Sequence, residues 1–153
     1  MEVQPLVYKE VTLTLDTSAY ADGDVLAATQ EIENVFTAGK PLMLYSLYLL
    51  DKDDQAQGMI IYLMRSEVNI GTENSAVAIT DAEADEILAE ITIASSDYID
   101  HTTWQTVRKK PSDDGMGVVL KTDAGKSLWI AVESDGTGTY TAAGITLKLG
   151  FVP

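Results

Sequence analysis

Leu42-Met43-Leu44-Tyr45-Ser46-Leu47-Tyr48-Leu49-Leu50, the polar run Asp51-Lys52-Asp53-Asp54-Gln55-Ala56-Gln57-Gly58, and Met59-Ile60-Ile61-Tyr62-Leu63-Met64 together set the fold class of this chain. Aliphatic and tyrosine side chains fit a pleated, buried surface, so the two flanks read as central strands. The polar run between them reads as a hairpin-like loop.

Upstream, Val11, Leu13 and Leu15 alternate with Thr12 and Thr14, the period of a half-buried strand over residues 8–16. Turn formers occupy 17–24 and 37–41, and a strand is expected between them in 25–36. Downstream, Thr80-Asp81-Ala82-Glu83 has the spacing of a capping box before Ala84-Asp85-Glu86-Ile87-Leu88, predicting one short helix with Ile87 and Leu88 on its buried side. Short apolar or alternating segments follow at 91–94, 104–108, 117–121, 128–132 and 145–151, separated mostly by Asp, Gly, Ser or Pro clusters. About eight strands at short spacing, with no alternation of strand and helix, predict an all-β fold. The expected form is an antiparallel jelly-roll-like sandwich with one short helix. No repeat or linker divides the chain, so 1–153 reads as a single β-rich domain.

Composition narrows the function. At 153 residues with 46% apolar and 22% charged side chains, the chain can bury a core of its own. Twenty-four acids against ten bases give a net charge of −14, which repels a phosphate backbone, so nucleic acid is not an expected partner. The absence of cysteine removes disulfides, thiolate metal ligands and cysteine nucleophiles. Met1-Glu2-Val3-Gln4-Pro5 lacks the basic start of a signal peptide. The apolar stretch 41–50 is about half the length of a membrane-spanning helix, so no membrane role is expected.

Candidate sites dissolve on inspection. Asp51 to Gly58 resembles a cation loop in its acids, but Ala56 stands where an EF-hand needs glycine and Tyr62 where it needs the bidentate glutamate. His101 is the sole histidine and has no Gly-x-Ser-x-Gly elbow to serve; it reads as an exposed loop residue. Acid pairs are too numerous for any to stand out as a glycosidase pair. Gly136-Thr137-Gly138 precedes the strand-like Thr139-Tyr140-Thr141 rather than a helix and reads as a hairpin turn. Arg108-Lys109-Lys110 is too short for a nucleic-acid patch but suits contact with an acidic neighbouring subunit. Trp104, Trp129 and the seven tyrosines could stack on sugars, but core or interface packing fits most of them better. Tyr45 and Tyr48 are an odd number of residues apart, so a regular strand would send them to opposite faces. No catalytic, cofactor-binding or metal-ligating residue is expected, and the chain reads as non-enzymatic.

Several pieces resemble a family of small structural proteins from tailed bacteriophages. They are Val11-Thr12-Leu13-Thr14-Leu15-Asp16-Thr17-Ser18-Ala19-Tyr20 with Gly23-Asp24-Val25-Leu26, Leu50-Asp51-Lys52-Asp53-Asp54-Gln55, and Ile79-Thr80-Asp81. Thr106-Val107-Arg108, Thr139-Tyr140-Thr141 and Gly144-Ile145-Thr146-Leu147-Lys148-Leu149-Gly150 complete the series, which spans most of the chain in order. Members resemble capsid decoration, or cement, proteins, whose jelly-roll-like subunits sit as trimers on the outer shell and bridge capsomers. The resemblance implies a protein made in the host cytoplasm and located on the outer capsid surface of the virion. Its implied partners are the major capsid protein and itself as a homotrimer, with no catalytic residue to carry over. The chain departs from the family over 107–115, where Arg108-Lys109-Lys110 replaces an expected apolar strand. The alternative is a virion-mounted carbohydrate-binding module using Trp104 and Tyr140, or a neck or tail structural protein.

Overall fold

The computed structural model describes residues 6–153, so residues 1–5, on which the reading of the N-terminus falls, lie outside it. In chain order come β1 (Val7–Thr12), β2 (Val25–Ile32), β3 (Leu42–Asp51), β4 (Gly58–Met64) and α1 (Asp81–Ala84). After them come β5 (Ile87–Ile93), β6 (Ile99–Asp100), β7 (Gln105–Lys109), β8 (Val119–Leu120), β9 (Leu128–Asp135) and β10 (Ile145–Val152). Two antiparallel sheets result: β1-β10-β3-β7-β6, with β8 also on β3, and β2-β9-β4-β5.

The pairings β1–β10, β2–β9, β3–β7 and β4–β5 nest inside one another as the rungs of one long hairpin. Pairings β10–β3 and β9–β4 roll that hairpin up. This is jelly-roll topology; the strand expected over 117–121 shrinks to the two residues of β8, and the two-residue β6 is an addition.

Alternation, broken once in β3 by a bulge, builds the core between the sheets. Leu44, Leu47 and Leu49 of β3 and Leu147, Leu149 and Phe151 of β10 point inward, against Ile61 and Leu63 of β4 and Ile130 and Val132 of β9. Each such side chain contributes about 1.5–3 kcal/mol by leaving water. Leu13 and Leu15 stay buried beyond the end of β1, their N–H groups donating to Ile145 and Ala142 carbonyls at 3.0 Å.

Three local expectations are corrected. First, β3 and β4 do not pair as a hairpin; they sit in opposite sheets, and the loop after β3 crosses from one to the other. Second, the capping box is present, Thr80 N–H donating to Glu83 Oε2 at 2.8 Å and Glu83 N–H to Thr80 Oγ1 at 3.3 Å, but the helix ends at Ala84 and buries nothing. Ile87 and Leu88 belong instead to β5, where Ile87 pairs with Met64 and the alternation Ala89, Ile91, Ile93 fills the core. A capping box contributes about 1 kcal/mol, less than a whole strand of apolar burial, so the strand wins. Third, Thr139, Tyr140 and Thr141 are not a strand and Gly136 to Gly138 is not a hairpin turn, because β9 and β10 lie in different sheets.

Candidate interaction surface

The crossing loop is a polar joint. The Asp51 carboxylate, fully buried, accepts the N–H groups of Asp53 at 3.0 Å, Gln55 at 2.8 Å and Ala56 at 2.9 Å. From alternate positions, Asp53, Gln55 and Gln57 use side-chain oxygens to accept the N–H groups of Thr141, Thr139 and Thr137 at 2.8, 3.0 and 3.1 Å. The run expected as a solvated hairpin loop is thus fastened to the 136–144 connection. Tyr140 lies buried beside it, its ring centroid 6.1 Å from that of Tyr20, and burial pushes its hydroxyl pKa above the ordinary value. It is therefore unable to serve the sugar-stacking role considered for it.

His101 and Trp104 form the β6–β7 turn, stacked with centroids 5.1 Å apart and planes 13° from parallel. Imidazole Nε2 lies 3.1 Å from the Thr106 hydroxyl, and Trp104 keeps 44% of its surface exposed. Trp129 is packed into a second cluster on the far side of the molecule.

That second cluster marks the difference between the two sheets. Segment 65–80 runs over the outer face of β2-β9-β4-β5, laying Val68, Ile70, Val77 and Ile79 on Val25, Tyr62, Met64, Ala131 and Trp129. Val25 N–H donates to Ser75 O at 2.8 Å, Ala78 N–H to Ile70 O at 2.8 Å, and the Thr29 hydroxyl to Val68 O. Gly71, at φ +130°, lies where a side chain would crowd Val25 and Ala76. This strap was not foreseen; its spaced Val and Ile residues are the sequence signal for it.

The six-stranded sheet has no such strap, although its outer face is not bare: Thr106 and Thr146 are buried there, Thr106 against His101. The large hydrophobic residues most exposed among those described all belong to it or its connections: Leu6, Tyr8, Tyr45, Ile99, Trp104 and Val119. A bulge in β3 at Tyr45 and Ser46 brings Leu44 and Leu47 both inward, so Tyr45 and Tyr48 share the outer face despite their odd spacing. Arg108 and Lys148 approach the Tyr48 ring from either side, 5.5 and 5.4 Å from its centroid. Lys109, with an inward-facing neighbour in Val107, instead pairs with Asp97 at 2.7 Å. The strand cations Lys9, Arg108, Lys109 and Lys148 are all in this sheet, whereas the strands of the covered sheet carry only acids. Arg108 therefore falls on an outward position.

No protein-family model matches the sequence, and no curated protein matches it. Among solved structures the chain is similar to the EclA C-terminal domain, a sugar-binding protein, at 11% identity, covering 97% of this chain and 77% of that one with a TM-score of 0.31. It is similar to a chain of Desmodium yellow mottle tymovirus at 9% identity, covering 95% and 78% with a TM-score of 0.32. A third similarity is to the infectious bursal disease virus VP2 subviral particle, at 10% identity, covering 97% and 40% with a TM-score of 0.25. Scores this low carry no weight for function. The class of protein is set by its own geometry: a jelly roll with one strapped face and one open face.

Proposed function

We propose that this chain is a non-enzymatic structural protein of a virion, a decoration or cement protein that binds the outer surface of a tailed-phage head as a homotrimer and stabilises it. The observation that carries this reading is the unequal finish of the two sheets. A protein whose task is contact needs one adherent face and one inert face. The open sheet offers exposed aromatics and free cations for adhesion. The strapped sheet carries Glu31, Glu90, Glu133 and Asp135 among its strands, charges that keep a particle surface soluble. The sequence resemblance to phage decoration proteins points the same way. The major capsid protein is the partner, and nucleic acid and membrane play no part. Cryo-electron microscopy of the virion encoding this chain is expected to show its density at quasi-threefold positions of the head. A head without it, with the chain in the neck or tail instead, would overturn the proposal.

A second reading, a virion-mounted carbohydrate-binding module, is favoured by one observation, the half-exposed Trp104 held flat against His101. Glycan-array binding that disappears in Trp104→Ala would install it in place of the first.

A further inference from the structure

The open face of the six-stranded sheet is self-complementary, and we infer that in solution a second copy of this chain covers it, face to face about a two-fold axis parallel to the strands. One register row crosses four strands: Glu10 on β1, Lys148 on β10, Tyr48 on β3 and Arg108 on β7, each the Cα partner of the next. Neither Glu10, Lys148 nor Arg108 has an ion-pair partner among the described residues.

A two-fold axis lying in the interface along the strands, between β10 and β3, reverses the order of this row and keeps its level. Glu10 then faces Arg108 of the second copy, and Lys148 faces its Tyr48, twice over by symmetry. An axis across the strands would set Glu10 on Glu10 and Arg108 on Arg108. Charge therefore selects the first arrangement.

Neighbouring rows obey the same symmetry. Thr12, Thr146, Leu50 and Thr106 form an uncharged row, in which Thr146 and Thr106 are already buried within one copy, so its reversal brings no unpaired charge into the contact. On the other side, a hollow of about 200 Å³ is bordered by Leu6, Tyr8, Tyr45 and Gly150, with the same copy's Ser46 hydroxyl leaning over Gly150. That is below the roughly 300–1,000 Å³ of small-molecule sites, and its apolar rim suits a protein side chain. Reversal sets Gly150 opposite Ser46 of the second copy, next to the bulged Tyr45, a projection facing a recess.

Four strands about 4.8 Å apart, from five to ten residues long at about 3.3 Å per residue, present a projected face of roughly 300–600 Å² per copy. The pair would bury on the order of 1,000 Å², the lower end of specific interfaces, so the association is concentration-dependent. The −14 charge of each copy opposes approach, but at physiological salt it is screened beyond about 8 Å, while the facing row is in direct contact.

The pairing concerns the free protein and stands apart from shell binding, in which the shell would displace the second copy. A trimer that kept this face open would double in mass on pairing just as a single subunit would.

Light scattering across a concentration series would compare the wild type with Arg108→Glu and with the swap Glu10→Arg/Arg108→Glu. Both positions are exposed, and circular dichroism checks that each variant folds. Expected is a twofold mass for the wild type, half of it for Arg108→Glu with the dissociation constant raised by about tenfold or more, and recovery in the swap. Equal masses for all three proteins, or no recovery in the swap, overturns the inference. That result leaves the shell reading untouched, just as an undecorated head leaves the pairing untouched.

Discussion

The carboxylate of Asp53 receives both the backbone N–H of Thr141, at 2.8 Å, and its hydroxyl, at 3.0 Å. Two connections that cross between the sheets are thereby joined by side chains where no β-ladder can reach. Gly144 lies so close that a Cβ there would overlap the Asp53 carboxylate, so the joint also constrains that glycine. Asp53→Ala is expected to lower stability by about 1–2 kcal/mol, because its exposed donors turn to water. Asp51→Ala leaves three N–H groups around a fully buried position without an acceptor, at a cost of about 3 kcal/mol or more. Urea unfolding would show both as lowered midpoints at unchanged slope.

The Tyr20 hydroxyl donates to the Leu26 carbonyl at 2.9 Å and accepts the Asp16 N–H at 2.7 Å. Burial pushes its pKa from 10.0 up to about 12. A raised folded-state value favours the neutral phenol, so this stabilisation is complete below pH 10 and is lost as pH rises towards about 12. Tyr98 and Tyr140 are displaced the same way, chiefly by burial. Melting temperature is therefore expected to fall steeply over that interval. Tyr20→Phe should flatten part of the fall while lowering stability at neutral pH.

Lys109 donates to Asp97, and with the Ala94 N–H it holds that carboxyl below its ordinary value of 3.8. A lowered folded-state value contributes stability that is present above pH 3.8 and lost as pH falls through the depressed value. Lys109→Met should cost at most about 1 kcal/mol at neutral pH, since the pair is partly exposed. The side-chain carboxyl of Asp97, followed by NMR, should titrate at higher pH in the variant.

Ile70, on the strap, is fully buried against the sheet. Ile70→Ala is expected to cost about 2 kcal/mol or more. Hydrogen exchange should speed up across 65–80 and the outer edge of β2 while β3 and β10 keep their protection. Uniform loss of protection in both sheets would mean that the strap is inseparable from the main core.

Strand alternation was legible because a period of two needs only local sequence, and it brought out the jelly-roll class and most of the core. Partnership was not legible. Whether β3 turns back on β4 or crosses to the other sheet depends on acceptors in 51–58 meeting donors in 137–141, far along the chain. The helix was overread because Thr80 and Glu83 signal locally, whereas the pull of Met64 on Ile87 is tertiary. The shared face of Tyr45 and Tyr48 was hidden by one bulge, which inverts every parity argument made across it. The open face, the centre of the functional proposal, was legible only in part: the cluster Arg108-Lys109-Lys110 was flagged, but that no strap covers the sheet is a property of the fold.

The nested strand order has a temporal consequence. β10, which follows all the other strands of this sheet in the chain, sits inside the sheet between β1 and β3. Until it arrives, β1 has no neighbour and one side of β3 lacks its main partner, so the growing chain cannot complete the six-stranded sheet on the ribosome. Completion of this sheet must wait for residues 145–152, and with such distant pairings folding is expected to be slow. A fragment truncated even a few residues into β10 should behave as an incomplete chain rather than a trimmed protein.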